Sequence, residues 1–314
     1  MNDLVWLASY PKSGNTWFRL LIETSLAAPG AALDINDLQT RGGIASSRRP
    51  IDELSLLDSH LLTHREADWL RPGVHEALAR GEFPEIGLQW ALPAMSPRLM
   101  KIHDAYTAGP DGAPLFAVAS AAVVIVRDPR SVAPSLASFF NHSIDQSIAD
   151  MASDDFALSA RITGDSTQVR QTLLSWSAHI RSWLDQTDVP VHLVRYEDLK
   201  ADTVTTFQAA MRFAGHEMER GVVEQAVAAT DFAHLQAQER ERGFLESKPN
   251  RKHNRPFFRQ GRVDGWREEL SADQVARIEA DHGEVMRRLG YALSSEPVSR
   301  LSHSIDTRRA GAQR

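Results

Sequence analysis

One stretch near the start of the chain constrains its fold more than any other: Leu4 to Ile22, LVWLASYPKSGNTWFRLLI. Leu4, Val5, Trp6 and Leu7 make an uninterrupted apolar run of strand length. Tyr10 to Gly14 supply turn residues, and helical spacing resumes from Thr16 to Leu26. A buried strand, a tight loop and a helix in that order bring several backbone N–H groups without intrahelical partners to one point, where the helix dipole adds partial positive charge. Lys12 adds a full one. Taken alone, the stretch is either an anion cradle or an ordinary strand-to-helix turn with a solvated lysine.

The Walker A pattern ends in Gly-Lys-Ser/Thr, whereas here Lys12 precedes Gly14, so the loop is P-loop-like but differently wired. With 314 residues, 42% hydrophobic and 24% charged, the chain suffices for one α/β domain over 1–293, followed by a tail over 294–314 expected to be disordered. A net charge of -6 opposes broad phosphate neutralisation, so no nucleic-acid partner is expected and any anion site is local. Without cysteine there are no disulfides, thiolate metal sites or cysteine nucleophile. The apolar run at Leu4 is too short for a signal peptide, and Ala113 to Val126 is too short to span a bilayer. Both observations predict a cytoplasmic protein without a membrane partner.

Periodicity predicts helices over Ile51 to Leu70, Val74 to Arg80, Ser131 to Phe140, Ile144 to Met151, Thr167 to Gln186, Thr203 to Ala214, Met218 to Ala229 and Val275 to Leu289. Asp128-Pro129 opens one of them, Ser271 caps the last, and Thr230-Asp231-Phe232 is a cap candidate for another. Strands are expected at Arg98 to Asp104, Ala121 to Val126 and Val191 to Val194, which makes a central parallel sheet flanked by helices. The rest of Asn141 to Gly164 reads as polar and mobile, and Ala27 to Pro97 as a lid or binding wall. His60, His64 and His75 have no partners at a metal spacing, so they are read as surface or local hydrogen-bonding residues and no metal is expected.

Chemistry-bearing residues gather at the predicted strand ends, where open parallel α/β sheets bind ligands. Lys101 and His103 share a face, because strand side chains repeat every two residues. His103 is either a general base or a histidine satisfied by a backbone carbonyl. Arg127 either grips a phosphate together with Ser135 or pairs with Asp104 or Asp128 at the sheet edge. Gln238 to Arg262 concentrates positive charge and interleaves it with Phe257 and Phe258, as a solvated face or as a cover for an anion.

Together these blocks resemble the cytosolic-type sulfotransferases that use 3′-phosphoadenosine 5′-phosphosulfate (PAPS). The blocks are YPKSGNTW at Tyr10 to Trp17, KIH at Lys101 to His103, RDPRSVAPS at Arg127 to Ser135 and FRQGRVDGW at Phe258 to Trp266, with RYEDL at Arg195 to Leu199 in support. The resemblance implies a single P-loop-like domain, PAPS as donor, PAP as product, no metal, and sulfuryl transfer to a hydroxyl, less readily an amine, of a small-molecule acceptor. It implies His103 as catalytic base, Lys12 as leaving-group stabiliser and Lys101 as an auxiliary cation. The amides of Ser13, Gly14, Asn15 and Thr16, with the Thr16 hydroxyl, would surround the 5′-phosphate. Arg127, Ser135, Arg259 and the Gly261 amide would hold the 3′-phosphate, while Trp17, Tyr196, Thr230 and Phe232 would lie at the adenine.

Three departures stand out. Asn15 replaces a common Thr or Ser, Gln260 a frequent Lys, and Asp264-Gly265 reverses the usual Gly-Asp; the change at Gln260 either weakens 3′-phosphate binding or moves that job to Arg262 or Arg251. The alternatives are a noncatalytic PAP- or PAPS-binding protein, or a P-loop phosphotransferase, which would want a Walker lysine and an acidic magnesium ligand. The acceptor is expected to be an alcohol or phenol. Trp69, Phe83, Trp90, Tyr106, Phe139 and Phe140 are candidates for an apolar acceptor pocket, whereas the basic Arg240 to Arg255 run favours an anionic or carbohydrate acceptor. A homodimer is compatible with the sequence.

Overall fold

Alternation along two fully buried strands sets the layers. In the computed structural model, which describes residues 4–27, 33–36, 38, 43–80, 97–160, 166–246 and 256–294, the strands are β1 (Leu4–Ser9), β2 (Arg98–Ile102), β3 (Ala121–Val126), β4 (Ala157–Leu158), β5 (Gln171–Thr172) and β6 (Val191–Arg195). A four-stranded parallel sheet has the order β2-β1-β3-β6, and β4 and β5 pair as a separate antiparallel hairpin. Leu4, Trp6 and Ala8 of β1 join Ala122, Val124 and Val126 of β3 in one core. Val5 and Leu7 join Ala121, Val123 and Ile125 in the opposite one. Period two therefore buries both faces, as the uninterrupted apolar runs require.

The helices are α1 (Asn15–Leu26), α2 (Arg48–Ser55), α3 (His64–Arg80), α4 (Pro129–Phe140), α5 (Ile144–Ala152), α6 (Trp176–Asp185), α7 (Tyr196–Ala201), α8 (Thr203–Phe213), α9 (Arg220–Ala229), α10 (Phe232–Arg242), α11 (Trp266–Glu269) and α12 (Ala272–Arg288). Phe18 and Leu21 of α1, with Phe207 and Met211 of α8, cover one sheet face. Val132 and Leu136 of α4, Trp176, Ile180 and Trp183 of α6 and Ile278 of α12 cover the other. Asp128 caps α4 by accepting from the Arg130 amide, and Ser271 with Gln274 closes a reciprocal capping box on α12.

Several expected boundaries shift. The helix predicted over Thr167 to Gln186 begins only at Trp176. Leu174 sits at φ 61, Ser175 caps the helix on the Ala178 amide, and Gln171–Thr172 is drawn into pairing with Ala157–Leu158. The apolar periodicity from Ile51 to Leu70 is broken at Leu56, which has φ 55, and a separate helix from His64 runs through Pro72 to Arg80. The helix expected over Ile144 to Met151 is present as Ile144–Ala152, capped by Ser143 and anchored by buried Ile148 and Met151. His75 lies buried edge-on to Trp6, at 5.0 Å between ring centroids, rather than at the surface. Burial, then the nearby Arg71, lowers its pKa to about 3. The tail over 295–314 lies outside the described residues.

Topology opens a crevice. The chain leaves β1 for β2 on one side and returns to β3 on the other, so the loops after these strands diverge at their carboxyl ends. Beyond β2 the sheet gains a further neighbour: the Lys101 amide donates to Gly43 O at 3.0 Å and the Ala45 amide to Lys101 O at 2.9 Å. The loop after β2 is pinned by Asp104, whose carboxylate takes both guanidinium nitrogens of buried Arg71 at 2.9 Å and whose carbonyl accepts from Trp183 Nε1 at 3.0 Å. Asp104→Ala would leave the buried guanidinium, among carboxylates, only the longer contact to Asp68 at 3.4 Å, and breaking such a buried pair costs about 3–5 kcal/mol. Urea unfolding is expected to record a loss of that order, with the adjacent His103 loop loosened.

Candidate active site

A cleft of about 1410 Å³ lies at the carboxyl ends of the strands and gathers nearly every residue singled out from the sequence. Lys12, Gly14, Asn15, Thr16, Trp17, Lys101, His103, Arg127, Ser135, Tyr196, Thr230, Phe232, Arg259 and Gly261 all line it. The Ser13 side chain does not: it is fully buried, and its hydroxyl has no partner. Thr230 reaches the cleft, but its hydroxyl donates back to Ala226 O at 2.8 Å.

The loop between β1 and α1 is held by close contacts. Gly14 has φ 106, and a Cβ there would lie 2.6 Å from Tyr196 Cδ2, so glycine alone fits. No side chain caps α1 and its first turn carries no acid, which leaves the amides at its N-terminus open to an anion. Asn15 turns its carboxamide inward, donating to Leu7 O at 3.0 Å and Ser9 Oγ at 3.2 Å. This departure from the Thr or Ser of related sequences ties helix to strand. Gly261 repeats the device on the far wall, at φ 63 with Phe232 2.6 Å from a hypothetical Cβ.

Lys12 projects into this space from a left-handed backbone, φ 69, that costs about 1–2 kcal/mol for a residue with a Cβ. Its ammonium sits 3.6 Å from the Phe257 ring centroid and 4.8 Å from that of Phe139. Burial, then Arg127 and Lys101, lowers its pKa to about 7, with Glu239 opposing. The cleft thus concentrates positive charge that its carboxylates offset only in part.

Arg127 does not pair with either aspartate considered from the sequence. Asp104 pairs with Arg71, and Asp128 pairs with Arg130 at 2.7 Å, so neither carboxylate neutralises Arg127. Its guanidinium lies 4.4 Å from the Tyr196 ring centroid and donates to Lys12 O at 3.2 Å and Arg262 O at 3.0 Å, while Nε has no partner. Arg259 is oriented by Pro134 O at 2.9 Å and by Glu269. Arg262 is an exposed partner of Glu268 at 2.7 Å, and Arg251 lies outside the described residues, so Arg262 shows no inward turn to replace a lysine at Gln260.

His103 is satisfied by a backbone carbonyl and also available as a base, because the two roles fall on different nitrogens. Nδ1 lies 2.8 Å from Ser9 O, a carbonyl that can only accept, so Nδ1 carries the proton. The Nε2 lone pair then remains, with no protein partner among the described residues. Burial, then Lys101, holds the imidazole well below its ordinary pKa of 6.5, so it is neutral at neutral pH.

Sequence reasoning missed Glu246. Nearly buried, it accepts from Arg19 at 2.7 Å and lies 3.6 Å from Lys101, within the electrostatic reach of His103. Against the cost of burial, Lys101 and Arg19 hold its pKa at about 2. As one acid in a basic run it carried no pattern that would single it out. The expected aromatic pocket is also corrected. Only Phe139 and Phe140 line the cleft; Trp69 is exposed, Tyr106 packs on Trp183, and Phe83 and Trp90 lie outside the described residues. Because the Glu246 pKa is depressed, its stabilisation is complete above 4.5 and lost as pH falls from there towards about 2. Glu246→Gln should lower stability at pH 7 by about 3 kcal/mol or more and flatten that acid dependence, as read by urea unfolding across a pH series.

Comparison with known proteins fits this geometry. The sulfotransferase domain pattern matches residues 2–290. Rabbit (Oryctolagus cuniculus) sulfotransferase 1C2 is 20% identical, over 88% of this chain and 81% of its own. Cytosolic sulfotransferase 14 of Arabidopsis thaliana is 27% identical, over 88% and 73%. Mouse sulfotransferase SULT7A1, solved with PAP, superposes with a TM-score of 0.54 at 18% identity over 91% of this chain and 85% of that one. Retinol dehydratase, solved with androsterone and PAP, gives 0.53 at 17% identity over 91% and 81%. The chain belongs to the sulfotransferase domain family of enzymes.

Proposed function

We propose that the protein transfers the sulfuryl group of PAPS to a hydroxyl of a small-molecule acceptor, by in-line displacement and in the cytoplasm. The observation that carries this reading is the convergence of an Nδ1-protonated, neutral His103 with Lys12 and Arg127 in one cleft. PAPS fits the residues present. The cleft has room for a nucleotide, and its cations have no carboxylate partner at Lys12 or Arg127 among the described residues. No helix among those residues is long and apolar enough to cross a membrane.

In this reading the open amides of α1 and the Thr16 hydroxyl hold the 5′-phosphate. Arg127, Ser135, Arg259 and the Gly261 amide take the 3′-phosphate, and Trp17, Tyr196 and Phe232 shape the adenine site. The acceptor oxygen forms a bond to sulfur as the bond from sulfur to the phosphate oxygen breaks. Its proton passes to His103 Nε2, while Lys12 neutralises charge growing on the departing oxygen. Lys101, paired with Glu246, adds positive potential near the transferred group. Positioning and charge stabilisation carry most of such a transfer.

His103→Ala should lower kcat by ~10²–10⁴ while leaving PAP affinity within a fewfold, by steady-state assay and calorimetry. Unchanged turnover would sink the base assignment. A base acts deprotonated and His103 is depressed below 6.5, so the acid limb of kcat/KM should fall below that pH. Lys12 supplies a second pH signature. With a free-protein pKa of about 7 that a bound anion raises, PAP binding at pH 8 should take up a proton and weaken as pH rises. Calorimetry in buffers of different ionisation heat reads this uptake, and Lys12→Met should abolish it.

A further inference from the structure

The cleft is lined from both sides of β2. Arg127 and the α1 loop lie on the β1 and β3 side of His103. On the other side the sheet is continued by residues 43–48, which hydrogen-bond to Lys101 and are bridged in turn by residues 166–169 through Arg48 N to Thr167 O at 3.1 Å and Val169 N to Ser46 O at 2.8 Å. This second wall is stiff. Arg48 is buried and spends its guanidinium on Ser59 O at 2.7 Å and Ser166 O at 3.0 Å. The wall's residues line the same cleft as His103, on the side of β2 away from β1, so in the sulfuryl-transfer reading the acceptor lies against it.

The chemistry of this wall differs from an apolar slot. Gln168 Oε1 accepts from Ser46 at 2.9 Å and from Gln171 Nε2 at 2.8 Å, which leaves the Gln168 amide nitrogen and the Gln171 carbonyl oxygen as an unspent donor and acceptor side by side. Asp52 uses one oxygen on the Ser59 amide at 2.7 Å, and its second has no partner among the described residues. Thr167 also lines the cleft, its hydroxyl without a partner among those residues. Phe139, Phe140 and Leu158 supply a limited apolar counterface. Planar carboxamides and a carboxylate opposite aromatic rings match a ligand with many hydroxyls and apolar C–H faces. A steroid or simple phenol would leave these groups unpaired, and sites built to hydrogen-bond a hydroxyl discriminate strongly against analogues that lack it.

We infer that the acceptor is a saccharide or similarly hydroxyl-rich small molecule, held by Asp52, Thr167, Gln168 and Gln171 so that one hydroxyl meets His103 Nε2. This rests on the sulfuryl-transfer reading of the same site. The test uses the full chain with PAPS and compares maltose, trehalose, cellobiose and N-acetylglucosamine with 4-nitrophenol and androsterone, following products by mass and rate. The expected result is a kcat/KM for the best saccharide at least tenfold above either apolar acceptor. Gln168→Met and Thr167→Val should each lower that value about tenfold or more, chiefly through acceptor KM, with PAP affinity by calorimetry unchanged. Preference for 4-nitrophenol or androsterone, no transfer to any saccharide by a protein that binds PAP, or saccharide transfer untouched by both variants would overturn the acceptor assignment and leave the donor reading intact. Failure to bind PAP at all would overturn both.

Discussion

Contact between Ser9 and His103 joins the two halves of the site: His103 Nδ1 donates to Ser9 O at 2.8 Å, across the carboxyl ends of neighbouring strands, with Ser9 Oγ also 3.3 Å from Nδ1. It exists because β1 and β2 pair in parallel with Ala8 opposite Ile102, so the next residue of each strand meets the other at the mouth of the crevice. The bond does two things. It fixes the imidazole tautomer, leaving the Nε2 lone pair available, and it locks the end of the strand that leads into His103 to the end of the strand that leads into the Lys12 loop. A slip of one residue in that pairing would turn His103 to the opposite face.

Charge in the molecule is distributed on a consistent plan. Carboxylates near the sheet are given to structural arginines, with Asp104 on Arg71 and Asp128 on Arg130. Lys12 and Arg127 meet aromatic rings and backbone carbonyls instead. Burial, and then the crowding of these cations, depresses the lysine, and an anionic ligand would relieve the repulsion. Glu246 is the exception at the centre. By holding Lys101 against Arg19 it lets a second lysine stay close to His103 without moving freely.

The donor side was far more legible than the acceptor side. Anion loops depend on backbone conformation and on residues within one strand-loop-helix unit, so Gly14, Lys12 and Arg127 announce themselves locally. The proposed acceptor wall is assembled from residues 43–60, 158–160 and 166–171, which are distant in sequence and meet through isolated bridges and side-chain carboxamides. Their roles follow from which hydrogen-bonding atoms the pairing consumes, and no periodicity encodes that. Aromatic residues misled for the same reason: Tyr106 looks like a pocket residue until its packing on Trp183 and Phe116 is seen.

By itself the sequence determined the parallel sheet, through apolar runs that only a doubly covered strand can bury, and the anion loop, through a glycine and a lysine at a strand-to-helix junction. The order of the motifs added the family. Tertiary structure alone decided which nitrogen of His103 is free, which arginine escapes its neighbouring aspartates, and that Glu246 belongs to the site. Each of these depends on competition among groups far apart in the chain for the same buried partner. Local pattern cannot settle such competition, because its outcome lies in strand register and burial.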